Sequence, residues 1–566
     1  MRLWVLVSIL ILPGLASPKP SKEAEEAKRQ AKLFQKKLSK DQQVLHALDR
    51  LSFGPSPGEA ARVKKIGLKK WLDLQLHPDR IPENRDLEAK LQPLESLGMT
   101  PMEAGQHYPL PQMIRAIAAG RQPLPEDPVL RASIQRLVAR YKTKKDEEGE
   151  LEPVKTLDEV LDASGRQTLR NGTVDQKRAL LGSMPVDRLE DVLIALPRGQ
   201  RQQLFASSSV DVQRKIMLLN APQQVVAYDL LEAKLLRAIE SNRQLAEELD
   251  DFWFNHFNVY YDKGSDRFLI PDYEREAIRP HVLGRFRDLL EATAKSPAML
   301  FYLDNFQSVR PDIDANSKNR KVKRGLNENY GRELMELHTL GVNGGYTQHD
   351  VTEVARCFTG WTIQDPRRGG AFFYNDNLHD KGEKVVLGHV IPAGGGIEDG
   401  EKVLDILAEH PSTAKFISTE LAQRFVADAP PAALIDKMAK TYLDTGGDIR
   451  EVMKTMLESK EFWSQGAYRA KVKTPFEMVV SSVRALNASV TDAWALATQV
   501  GNLGEPLYRK QEPTGYSNLN SDWVNSAALL GRMNFAVQLT QNRVPGVKVA
   551  ASPPAELIGS PDFQKR

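Results

Sequence analysis

The residues able to do chemistry gather in three places. Glu333, Glu336 and His338 share the stretch from Asn327 to Gly341. His256 stands among Phe252, Trp253, Phe254 and Phe257, and His379-Asp380 lies in a polar stretch with Asp376 nearby. On a regular helix, at about 100° per residue, Tyr330, Leu334, Leu337 and Leu340 form one apolar arc. Glu333 falls inside that arc, and Glu336 and Asn329 fall just past its edge. A carboxylate among leucines is costly unless it is paired, metal-bound or protonated. Glu333 is therefore expected to be buried against a polar partner from another segment, His256 or an arginine. Two roles stay open: a buried ion pair that pins helices together, or, with Glu336, a carboxylate pair serving a metal or acting as acid and base.

His338 follows Glu336 by two residues, about 200° around a regular helix, so Glu333, Glu336 and His338 cannot share one metal on such a helix. His338 either caps the last turn before Gly341, where a cationic ring is favourable, or serves a metal elsewhere. His256 lies on the face of Leu249, Phe252 and Trp253 and is expected to be buried, as a hydrogen-bonded core residue or as the histidine of a Glu/His catalytic centre. His379 and Asp380, as loop residues, are either turn-formers or metal ligands, with a divalent cation as the candidate cofactor. Thr347-Gln348-His349-Asp350 reads as a capping box, which makes Thr347 and Asp350 structural. Cys357, the single cysteine, sits on an apolar face, so no intrachain disulfide and no cysteine-cluster metal site is possible. The standard hydrolase, zincin, phosphate-loop, dinucleotide and calcium-loop motifs are absent.

Several of these stretches read together resemble a known family. Phe252 to Phe257, Asn327 to Gly341, Gly344 to Thr347 and Thr359 to Trp361 are similar to blocks of the bacterial family catalogued as domain of unknown function 1800. Leu51 to Pro55, His410 to Ala414, Lys473 to Pro475 and Asp522 to Ser526 support the likeness, which spans about residues 45–535. Glu512 to Tyr516 departs from it where a glycine-tryptophan pair is expected. The resemblance implies a large exported bacterial protein, often encoded beside an exported sulfatase-like family, and it carries no established reaction.

The elements that position these residues are helical almost throughout, with Gly or Pro at most breaks. The expected fold is mainly α: a multi-helix globular body with a small β-hairpin near 371–388 and a helical insertion. Residues 1–16 read as a signal peptide: Arg2, an apolar run over 3–12 and small residues before cleavage after Ala16. Residues 17–43 read as a charged helical or flexible segment. The family domain follows at 44–141 and 225–540, interrupted by the helical insertion at 142–224, and 541–566 reads as a flexible C-terminal tail. Within the domain, Ser56-Pro57-Gly58-Glu59 is expected to start a helix with Ser56 as N-cap.

The 77 basic and 74 acidic side chains leave a net charge of only +3, which argues against nucleic acid as a main partner. The one dense cationic run, residues 318–324, reads as a solvated loop or an anion-binding loop. No stretch is long and apolar enough for a transmembrane anchor once the signal peptide is cleaved, so the expected location is periplasmic or extracellular. Two functions remain in front. One is an envelope binding or assembly protein acting with a co-exported sulfatase-like partner or an envelope polymer. The other is an exported hydrolase-like enzyme with a buried centre of Glu333, Glu336 and His256. A redox carrier is disfavoured, because haem motifs and cysteine ligands are missing.

Overall fold

The computed structural model describes residues 29–146, 156–311, 325–365, 370–550 and 555–566. The segment read as a signal peptide, residues 1–16, and the cationic run at 318–324 lie outside the described residues. Helix makes up 62% of the structure and strand 4%. The helices that frame the sites are α1 (Lys40–Leu51), α2 (Arg85–Leu91), α3 (Gln224–Glu240), α4 (Gln244–His256) and α5 (Glu328–Glu333). They continue with α6 (Gln348–Cys357), α7 (Glu398–Glu409), α8 (Pro411–Phe425), α9 (Ile449–Leu457), α10 (Pro475–Ala485) and α11 (Ser526–Thr540).

One apolar core runs from Phe34 through α3, α4, α6 and α8 to Ile558. α3 is buried on almost every face, with Tyr228, Ala233 and Leu235 fully enclosed, so it is the axis around which the others pack. The insertion has its own core, in which Leu181, Leu189, Val192 and Val212 meet. It joins the main body through the Arg214–Asp229 ion pair, Gln213 Nε2 donating to Asp492 Oδ2 at 2.7 Å, and an apolar cluster that includes Met217, Val225 and Tyr228.

Some expectations of local structure are corrected. The strand-like runs 371–374 and 384–387 do not pair with each other. β1 (Trp361–Ile363) pairs antiparallel with β2 (Phe372–Tyr374), and β3 (Lys384–Val386) pairs with β4 (His389–Ile391). The reason is local: Leu387 and Gly388, at φ +49° and +81°, form a two-residue turn that returns the chain immediately onto β3. Trp361, spaced from Val354 and Phe358 as on one helical face, instead opens β1. The tail is not loose: Val547–Lys548 pairs with Ser489–Val490, and the Arg566 side chain is buried against Glu248 and Glu477. At the other end, Phe34 and Leu38 are buried, and Leu38 N donates to Trp463 O at 3.0 Å, so the charged segment joins the core before α1.

One helix start also differs. Gly58, at φ +79°, takes the N-cap in place of Ser56, because Glu59 Oε2 accepts from both the backbone and hydroxyl of Ser56 and pairs with Arg484. His410 caps α8, its Nδ1 accepting from Ser412 N at 3.1 Å. The Thr347–Asp350 capping box forms as expected.

Candidate functional site

The helix carrying Glu333 and Glu336 does not stay regular. After Glu333 it widens into a π turn over Leu334–Thr339, with Leu340 N donating to Met335 O at 2.8 Å and Thr339 Oγ1 to Leu334 O at 2.7 Å. The widening changes the angular order of the side chains, as π turns do. His338 swings into the core, 2% exposed, while Glu336 and Leu337 turn onto the wall of a cavity. The expectation that Glu333 is buried against His256 or an arginine is corrected for the same reason. Glu333 is half-buried and makes no ion pair with a described residue. Its pKa is raised by burial and by the neighbouring Glu336 carboxylate, with Arg332 pulling the other way.

The cavity, about 270 Å³, lies where four elements meet. α4 supplies Phe252, Asn255 and His256, and the π turn supplies Glu336 and Leu337. α8 adds Phe416, Glu420 and Gln423, and the loop around Thr514 to Leu519 closes the fourth side. The loop is clamped by the last turn of α4 and the residues after it. Asn255 Nδ2 donates to Tyr516 O at 2.8 Å, Tyr516 N returns a bond to Asn255 Oδ1 at 2.6 Å, and Asn258 Nδ2 reaches the carbonyls of Lys510 and Glu512. Gly515, at φ +66°, lies so close to Asn255 that a Cβ would stand 2.3 Å from its carbonyl oxygen. The segment that departs from the family pattern is thus the cavity's fourth wall.

Electrostatics differ sharply around the cavity. Burial pushes the Glu420 carboxyl up to about 7, opposed only by Lys471. Glu336 Oε2 accepts the Tyr346 hydroxyl at 3.1 Å. His256 is 8% exposed, packed edge-on to Trp253 and Phe257, and burial lowers its pKa to about 4. Its Nε2 faces the His338 carbonyl at 3.1 Å, and a carbonyl only accepts, so Nε2 carries the proton and Nδ1 the lone pair. Burial and then His256 lower His338 to about 3, and its Nε2 has no protein partner. No lysine or arginine is among the residues lining the cavity.

The likeness seen in the sequence can now be placed on this geometry. The family model described as protein of unknown function DUF1800 matches residues 46–562. The chain belongs to the DUF1800 family. No curated protein and no solved structure matches it. In this DUF1800 protein the block at 252–257 and the block at 327–341 form two walls of one cavity.

The structure brings His256 and Glu336 together there, places Glu333 and His338 on the same helix just outside, and holds His379-Asp380 in a separate clamp. His379 is fully buried, with Nδ1 facing Thr359 O at 2.8 Å and Nε2 facing Asp399 Oδ2 at 3.1 Å. Asp399 also takes Lys384 Nζ at 2.7 Å, and Asp380 pairs with both Nε and Nη2 of Arg356. These bonds fasten the β3–β4 hairpin to α6 and α7. Among the described residues no group of three or more His, Cys, Asp or Glu is placed to hold a metal ion.

Sequence reasoning missed Glu420, Gln423 and the closing loop. The signal for the first two is their spacing: Phe416, Glu420 and Gln423, at i, i+4 and i+7, share one face of α8.

Proposed function

We propose that this protein acts outside the cytoplasm on a neutral, hydroxyl-rich segment of an envelope polymer bound in the cavity between α4, the π turn, α8 and the 514–519 loop. Glu420 and Glu336 serve there as proton donor and acceptor in a hydrolysis. What supports this is the meeting of two carboxyl groups in one cavity with no lysine or arginine among its described lining residues. A site lacking cations does not favour phosphate or carboxylate ligands. Neutral donors and acceptors such as Gln423, Thr514 and Asn518, beside Phe416 and Tyr516, suit hydroxyls and the apolar faces of sugar-like rings.

Glu420, holding its proton to about pH 7, would donate it to the leaving oxygen as the bond to that oxygen breaks. Glu336 would take a proton from the water that attacks. His256, neutral at that pH, offers a lone pair for orienting the ligand and not a proton.

The test compares the wild type with Glu420→Gln and Glu336→Gln on soluble fragments of envelope polysaccharide, scoring binding by calorimetry and cleavage by new reducing ends. Turnover is expected to fall about 10²–10⁴-fold in each variant with binding kept. Wild type that binds these fragments without cleaving them would replace catalysis with a binding role, and absence of binding would overturn the reading altogether. Export is tested by N-terminal sequencing of secreted material. A start near Ser17 is expected, and an intact Met1 would overturn it.

A second reading, assembly with a co-exported sulfatase-like partner, is favoured by α11. Its outer face exposes Leu529, Leu530, Met533 and Val537 and carries no charge, an apolar stripe of the kind that partner proteins cover. Leu530→Glu is expected to abolish cross-linking to that partner. Cross-linking unchanged in the variant would remove this surface from consideration.

A further inference from the structure

A second cavity, about 540 Å³, is bounded by α2, the end of α3, the start of α4, residues 279–284 and the start of α9. Its composition is the reverse of the first. Arg237, Arg243, Arg279 and Arg450 line it, and between them stand apolar walls made by Leu87, Leu91, Ala246, Val282 and Leu283.

The four guanidinium groups are not equally occupied. Arg279 is saturated: Nη1 holds both oxygens of Glu247 at 2.9 Å, and Nη2 reaches Asp250 at 2.7 Å and Glu274 at 3.0 Å. Arg243 spends only Nε, on Ile81 O at 2.9 Å, and Arg450 spends only Nε, on Leu76 O at 2.8 Å. Arg237 makes no hydrogen bond or ion pair to a described residue, although burial and the adjacent Arg279 both oppose its charge. Glu247, Glu274 and Asp250 favour its charge from nearby, but none of them bonds it. Glu247 is held by Arg279, and Glu83 is spent on Asn84 N, Asn242 N and the Ser241 hydroxyl. Asp79 stands exposed among the lining residues. Arg237 is partly exposed where it lines the cavity, and the planar fork of a guanidinium with no bonded partner matches a phosphate or carboxylate.

We infer that this cavity binds a single amphiphilic anion, its phosphate or carboxylate head taken by Arg237 with the unspent nitrogens of Arg243 and Arg450, and its apolar chain laid along Leu87, Leu91, Val282 and Leu283. The volume falls within the range of small-molecule sites. The inference does not depend on the catalytic reading of the first cavity, since the two share no lining residue.

The test is calorimetric titration of the full chain with decyl phosphate, decanoate, hexyl phosphate, inorganic phosphate and decanol, each kept below its aggregation concentration. Decyl phosphate or decanoate is expected to saturate at one per chain, and whichever binds more tightly identifies the head group. Each methylene removed from the chain should weaken binding about fourfold. Arg237→Gln and Arg450→Gln should each weaken the anionic ligands about tenfold or more and leave decanol unchanged. Arg450 is partly exposed at the surface, so its variant keeps the test open if Arg237→Gln folds poorly. Absence of saturable binding to the wild type would overturn the inference. So would decanol binding as tightly as the anions, inorganic phosphate binding as tightly as decyl phosphate, or anion binding unchanged in Arg450→Gln.

Discussion

Glu420 and His338 answer to burial with opposite signs, and both can be read by titration. The Glu420 carboxyl titrates near 7 in the folded chain and near 4.5 once unfolded, so the folded state is penalised increasingly as pH rises between those values. Glu420→Gln removes that penalty. Its advantage over wild type should be smallest near pH 4.5 and grow to on the order of 3 kcal/mol above pH 7, measured by urea unfolding. An advantage that does not change with pH would mean the carboxyl is in water. For His338 the folded pKa, about 3, lies below the ordinary 6.5, so the unfolded chain binds a proton that the folded one refuses. The stability this supplies is complete above pH 6.5 and is lost on acidification. At pH 5 the loss should reach roughly 2 kcal/mol, and His338→Leu should not show it. A variant whose pH dependence follows that of the wild type would place the titration elsewhere.

The elements show why half of the cavity was legible in the sequence and half was not. Helical periodicity and the Thr347–Asp350 box depend on neighbours three and four residues apart, and they survive folding unchanged. The π turn does not follow from periodicity. Up to Leu334 the arc of Tyr330 and Leu334 is buried as expected, and after it Leu337 turns to the cavity and His338 takes the core. The pairing of β2 with β1 was hidden because Trp361 also fits the stripe of α6. The closing loop was out of reach because its hold on α4 joins Asn255 to Tyr516 across 261 residues. Asn255→Ala should free that loop. Losing two hydrogen bonds in a part-buried setting is expected to cost about 1–3 kcal/mol and to speed exchange of the Tyr516 amide while the core of α3 stays protected. Equal exchange in variant and wild type would show that the loop holds itself.

Across the molecule, a set of buried charges ties sequence-distant segments together. Arg424 of α8 hydrogen-bonds Glu248 at 2.8 Å and Asp251 at 3.2 Å on α4, and forms an ion pair with Glu477 of α10 at 3.0 Å. Arg566 joins Glu477 at 2.7 Å and Glu248 at 3.3 Å, and Lys234 of α3 meets Asp251 at 3.0 Å. Four helices and the final residues thus meet at one point. Arg424 and Asp251 also line a small void of about 30 Å³ that shares Asn255 and Tyr516 with the larger cavity. Charges out of water are tolerated only while every partner is present, so removing one should cost far more than a surface pair is worth. Arg424→Met leaves Glu248, Asp251 and Glu477 with only Arg566 and Lys234 to balance them and is expected to cost about 3–5 kcal/mol. The exposed Lys440–Asp444 pair supplies the control, since Lys440→Met should cost under about 1 kcal/mol. Salt separates the two further. The effect at Lys440 should fade between 0.1 and 1 M, because exposed charges are screened, while the effect at Arg424 should persist. Urea unfolding of both variants at the two salt concentrations reads this directly. An Arg424→Met loss as small and as salt-sensitive as that at Lys440 would mean that water enters the centre, and the apolar core alone would then have to hold α4, α8 and α10 together.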